Sequence, residues 1–207
     1  MMSGRKNRRN DQRGNVFTVL LGAVAMAAVL SYSTYQIMSG PLGSAVRVSK
    51  KIITESEMQS VSKSIIVAAV NQSSSGDCDS DGSVEPTPWR TTAANKPTNG
   101  GLLPNTIGLK LTDPWGSAYG YCVWDVGTQR KAAGCGGAGA NRLSGSPTPT
   151  AGNTTTQTVL AVISSGPDRR FQTTCNAYTN GTTDVITTSG DDIVRRYTSV
   201  DAAQATE

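Results

Sequence analysis

The sequence predicts an α+β protein: a long N-terminal helix, transmembrane in its first half and kinked near Gly40-Pro41, packed on a small antiparallel β-sheet head with long loops. Three observations carry this. Val16 to Leu30 is an apolar run without a charge. Farther on, Met58, Val61, Ile65 and Ala68 recur at spacings of three and four, one face of a helix. After about Asn71 the chain turns to Gly, Ser, Thr and Pro, broken by short apolar runs of strand character.

The organisation that follows is a basic leader over residues 1–14, a membrane helix over 15–39, its amphipathic continuation over 40–72 and an exported globular β head over 73–207. The chain carries 19 basic and 15 acidic residues, a net charge of +4. Arg5, Lys6, Arg8, Arg9 and Arg13 against Asp11 place all of that excess in residues 1–14, which read as polar and without regular structure. Residues 15–207 are therefore neutral. With no basic stripe interleaved with aromatics, the head is not expected to bind nucleic acid. Basic residues beside an apolar helix mark the cytoplasmic side, so the head lies outside.

Val16 to Leu30 alone is shorter than the roughly 20 residues that span a bilayer. Ser31 to Met38 supply the remainder, with hydroxyls that bond back to the helix and Tyr32 and Tyr35 suited to an interface. A cleaved secretory signal would show small residues after the apolar stretch, whereas Ser31-Tyr-Ser-Thr-Tyr35-Gln stays helix-compatible, so the segment is read as retained. Pro41 removes a backbone donor and interrupts the helix.

In the head, residues 87–111 read as polar loop. Asp113-Pro-Trp-Gly116 supplies turn chemistry, and strand character with aromatic alternation follows to Asp125. Residues 134–157 read as a long exposed loop, Val159 to Ile163 as a buried strand, and 184–187 and 193–197 as two shorter strands. Cys78, Cys122, Cys135 and Cys175 are an even number in an exported domain, which favours two disulfides. Zinc would need all four scattered thiolates, since the chain has no histidine and no C-x-x-C. Of the three pairings, a short hairpin would join Cys122 to Cys135 and leave Cys78 with Cys175.

Asp77, Asp79 and Asp81 precede Gly82 at alternate positions, like the start of a calcium loop, with Glu85 as a further oxygen donor. The twelfth position is Pro88 where a bidentate Glu belongs, so a solvated acidic turn is the competing reading. Enzymatic function is not expected. Without histidine the usual Ser-His and Cys-His nucleophiles are excluded. Ser60-Val-Ser-Lys63 has S-x-x-K spacing but no Ser-Asp-Asn or Lys-Thr-Gly partner.

A basic leader ending in Gly14, then Asn15 and Phe17-Thr-Val-Leu20 opening an apolar helix, resembles the type IV pilin and type II secretion pseudopilin superfamily. Within it, Asp113-Pro-Trp-Gly116 with Tyr119 and Tyr121, and Val162-Ile-Ser-Ser-Gly-Pro-Asp168 with Asp191-Asp192-Ile193, are similar to the major pseudopilins. The Tyr121-Cys-Val-Trp-Asp125 and Thr173-Thr-Cys175 segments look like minor, tip-located pilins. The resemblance implies cleavage after Gly14 by a prepilin peptidase, with Asn15 as the new N-terminus. It implies a single pass in a bacterial inner membrane, a periplasmic head, and assembly with other pilin subunits through the N-terminal helix. It also implies a structural calcium ion (Ca2+) at Asp168, Asp191 and Asp192. The fifth mature position is Val19 where family members usually carry Glu, and the loop from Asp168 to Asp191 is longer than in calcium-binding relatives; a minor subunit fits that departure. A membrane-anchored periplasmic binding or adhesion domain that never polymerises is the alternative.

Overall fold

The computed structural model describes residues 11–71, 77, 80, 83, 85–90, 93–127, 141–145, 158–179, 185–198 and 201. Two helices open the chain, α1 over Asp11–Ser39 and α2 over Pro41–Val70. The structure divides into two compact units, Met1–Val48 and Ser49–Glu207, so the division falls inside α2.

In the first unit, α1 already takes in residues 11–14, part of the segment expected to lack regular structure. The interruption falls at Gly40, as the Gly-Pro pair predicts. Gly40 still donates its N–H to the Gln36 carbonyl at 3.0 Å, but Pro41 has none to give and instead occupies the first position of α2.

In the second unit, the rest of α2 lies on a sheet. Strands β1 (Gly101–Leu102), β2 (Gly120–Asp125), β4 (Thr158–Ser164) and β7 (Ile193–Thr198) run β1-β2-β4-β7, each antiparallel to its neighbour. A two-residue strand β3 (Leu143–Ser144) joins β2 in parallel. β5 (Thr174–Cys175) and β6 (Ile186–Thr187) form a separate antiparallel pair. β2, β4, β6 and β7 fall where the sequence places strands. β1 and β3 fall within stretches expected to be loop. Both are two residues long, too short for a periodicity to declare itself, and both sit where an apolar side chain, Leu102 or Leu143, meets the sheet.

The pleat divides the head into two apolar layers. Tyr121, Val123, Leu160 and Val162 pack with Met58, Val61, Ile65 and Ile66 of α2. Cys122, Trp124, Val159, Ala161 and Ile163 face the other way, against Cys175, Val185 and Ile186. β4 is therefore buried on both faces, which is why its sequence is an unbroken apolar run rather than an alternating one. On α2 the covered stripe ends on Ala69, fully buried, while Ala68 of the expected stripe is half-buried. Thr54 and Ser62 lie within this face and satisfy their hydroxyls on the carbonyls one turn back, Lys50 at 2.8 Å and Met58 at 2.7 Å.

Candidate functional site

The first candidate is α1 itself. Val16–Gln36 is a 21-residue helical segment of mean hydropathy 2.0, long and apolar enough to cross a membrane. Every side chain along it is exposed, including Val19, at the position where an acid belongs in the family it resembles. Its polar end bonds back onto the helix: Ser31 donates to the Ala27 carbonyl, Ser33 and Thr34 to that of Leu30, and Gln36 to the Tyr32 hydroxyl. Each such bond removes a donor that hydrocarbon would leave unsatisfied. A Cβ placed on Gly22 would meet nothing within 4 Å, so no contact inside the chain demands glycine there. Gly14 and Asn15, the expected processing residues, lie in the first turns of α1.

Among the described residues, three polar contacts add to the apolar packing that fastens α2 to the head. Glu57 receives the Lys110 ammonium on Oε1 at 2.5 Å and the Tyr119 hydroxyl on Oε2 at 2.9 Å, and Tyr197 donates to the Gln59 carbonyl at 3.3 Å. Burial, reinforced by the bond to the Glu57 carboxylate, holds the Tyr119 phenol far above its ordinary value. Tyr121, whose hydroxyl is buried without a partner among the described residues, is pushed up by burial too, against a smaller opposing pull from Arg142. No local sequence signal announces Glu57, because its partners lie 53 and 62 residues away.

The Asp-Pro-Trp-Gly turn is built around Asp113, which is buried. Its Oδ1 accepts from the N–H groups of Trp115 at 3.1 Å and Ser117 at 2.8 Å, and its Oδ2 from the Ser164 hydroxyl at 2.6 Å. One carboxylate thus shapes the turn and ties it to the end of β4. Sequence reasoning located the turn but missed this role, although an Asp bonding to N–H groups just ahead of it is a known turn-former.

Asp168 lies on the loop after β4 and Asp191 and Asp192 on the turn before β7, and carboxylate-to-backbone bonds tie the two segments. Asp191 Oδ2 accepts from the Asp168 N–H at 3.2 Å. Asp168 takes the Arg170 N–H at 2.8 Å and the Gln172 amide at 2.6 Å. Asp192 Oδ2 takes the N–H groups of Gln172 at 2.9 Å and Thr173 at 2.7 Å, while its Oδ1 is buried with no donor among the described residues. Gly166 sits left-handed at φ 65°, and a Cβ there would come within 2.5 Å of the Asp191 carbonyl oxygen. As they stand, these carboxylates receive N–H donors and fix two loops. Among the described residues no group of three or more acidic, Cys or His side chains is arranged to hold a metal ion. Of the other expected ligands, Asp77 is half-buried, and Asp79 and Asp81 lie outside the described residues.

The cysteine pairing differs from expectation. Cys122 is bonded to Cys175, with 6.2 Å between their Cα atoms, not to Cys135. The alternation along β2 turns Cys122 away from α2 and toward β5, which carries Cys175. Cys78 and Cys135 lie outside the described residues.

No family model, no curated protein and no solved structure matches the chain.

Proposed function

We propose that this chain is a pilin or pseudopilin, a minor structural subunit of a type IV pilus-like or type II secretion filament, matured by cleavage after Gly14. The observation that carries the reading is the pairing of two helices with opposite demands. The apolar face of α2 is met by the chain's own sheet, whereas Val16–Gln36 is apolar and exposed along its whole length. A helix apolar on every side suits lipid, and it suits equally a filament core where like helices replace lipid, with Gly22, Ala23, Ala25, Ala27 and Ala28 permitting close approach. Val19 in place of an acid favours a minor position.

Mass spectrometry of the membrane-derived protein tests the processing step. A chain beginning at Asn15 is expected, and an intact or differently trimmed N-terminus overturns it. Single cysteines placed along α1 separate a filament subunit from a membrane-anchored binding domain, because only assembling copies give an ordered crosslinked ladder.

A structural calcium ion belongs to this reading through the resemblance. Its support is the bonding of the Asp168 loop to the Asp191-Asp192 turn and the burial of Asp192 Oδ1 with no donor among the described residues. With an ion bound, chelation lowers the melting temperature of the head; no shift leaves the three aspartates as hydrogen-bond acceptors alone.

A further inference from the structure

The outer apolar layer of the head is covered by very little secondary structure. Trp124, Ala161 and Ile163 project from the sheet, and among the described residues the strands over them are β5 and β6, two residues each, with Phe171 and Tyr178 packed beside them. Isolated two-stranded pairs are marginal in water even when longer, so this strap holds its place through its attachments. Several are polar: Trp124 Nε1 donates to the Asn176 carbonyl at 2.8 Å, the Cys175 N–H to the Thr98 carbonyl at 2.9 Å, the Thr98 N–H to the Thr173 carbonyl at 3.1 Å, the Tyr178 N–H to the Ser144 carbonyl at 2.7 Å, and Arg196 Nη2 to the Ile186 carbonyl at 3.3 Å. Water can replace each of these. The covalent one is the bond between Cys122 on the central strand β2 and Cys175 on β5, closing 53 residues of chain, with both sulfurs fully buried. The backbone passes tightly over it: a Cβ on Gly100 would lie 2.9 Å from Cys175 Sγ and 3.1 Å from Cys122 Sγ. The β2-β4-β7 ladder and its α2 face use none of these attachments.

We propose that oxidation of Cys122 and Cys175 is the step that seats the β5–β6 strap, so that closing the outer face of the head is conditional on a thiol-oxidising environment. The two thiols lose two protons and two electrons and form one S–S bond. The electrons pass to a disulfide-bearing oxidant, protein or small molecule, which leaves as two thiols. Before that step the α2-facing half is formed and Trp124, Ala161 and Ile163 are open to water. Afterwards they are covered. The device separates the head before and after export by chemistry alone, and it holds whether or not the chain enters a filament.

Hydrogen exchange on the full-length protein in detergent micelles tests this, comparing the wild type with Cys122→Ala/Cys175→Ala. Exchange at the Cys175 and Asn176 amide positions is expected to rise roughly 100-fold, while the β4 amides change less than about threefold. Trp124 becomes accessible to a neutral fluorescence quencher. Strap amides that keep wild-type protection overturn the proposal, and so do strap and β4 amides that lose protection together, since the bond would then hold the whole head. To guard against a variant that does not fold, the oxidised wild type is titrated with dithiothreitol and exchange is read against free thiol at Cys122. Strap opening must follow that thiol and precede any loss in β4; loss in β4 first or simultaneously rejects the local device.

Discussion

α1 and the second half of α2 are both regular helices rich in apolar residues, and they differ in where their apolar surface is satisfied. Met58, Val61, Ile65 and Ile66 of α2 are buried against β2 and β4 within one unit. In α1 the side chains of Leu20, Leu21, Val24 and Val29 are all more than half exposed. A helix with one apolar stripe can complete itself on a sheet of its own chain. A helix apolar on all sides needs a surrounding medium, lipid or neighbouring helices. The head's stability is therefore expected to depend on α2 and to ignore α1.

The strongest way to break that contrast is a matched pair of truncations. Ile65→Ala empties a fully buried site and should cost the head about 3 kcal/mol. Leu21→Ala, at a position 57% exposed, should leave its thermal midpoint where it was. Calorimetry of both variants in detergent decides; an equal loss would make α1 part of the head's core. Asp113→Ala comes next. It strands the Trp115 and Ser117 N–H groups and the Ser164 hydroxyl, and at about 1 kcal/mol or more for each stranded donor the loss should approach 3 kcal/mol. Asp113→Asn keeps one oxygen acceptor and should recover part of it.

Asp113 also indicates how far the sequence could be read. Turn chemistry is local, so Asp-Pro-Trp-Gly located its turn, and the continuous run Val159 to Ile163 located the strand buried on both faces. The amphipathic stripe of α2 was legible to within one residue, because at 100° per residue Ala68 and Ala69 flank the same edge and only contact with the sheet chooses between them. Cysteine pairing was not legible. Loop-closure reasoning favours near partners, whereas the partner of Cys122 was set by which face of β2 it occupies and by a strap arriving 53 residues later. At Asp168, Asp191 and Asp192 the residue types suggest a cation, while the N–H donors that occupy their oxygens come from backbone geometry with no sequence signature.

A smaller effect lies at alkaline pH and again belongs to the head. Tyr121 is buried in the native state and has its ordinary value near 10 when unfolded, so its folded pKa is the higher of the two. Its contribution is complete below pH 10 and declines as pH rises above that, because the unfolded chain releases its proton first. By pH 11 the loss should be about 1.4 kcal/mol for Tyr121, with a further contribution in the same direction from Tyr119. Urea unfolding at pH 8 and pH 11 reads this, and Tyr121→Phe should flatten the difference. Unchanged stability at pH 11 would mean that these hydroxyls are reached by solvent and that the α2-facing layer is looser than its burial implies.

The smallest expected effect on stability is also the most informative about α1. Gly22→Leu adds a side chain where nothing lies within 4 Å, so no contact in the monomer opposes it, and exchanging Gly for a better helix former favours the helix by up to about 1 kcal/mol. The head's midpoint and the membrane retention of the chain should be unchanged. If α1 meets other copies through its small residues, the added Leu holds those helices apart and the ladder formed by cysteines placed along α1 disappears, although each copy is as well folded as before. If the ladder persists in Gly22→Leu, the packing surface lies on another side of α1. A head destabilised by the same substitution would show that α1 has a partner within its own chain, and the division between a helix satisfied inside the molecule and one satisfied outside it would fail at its simplest point.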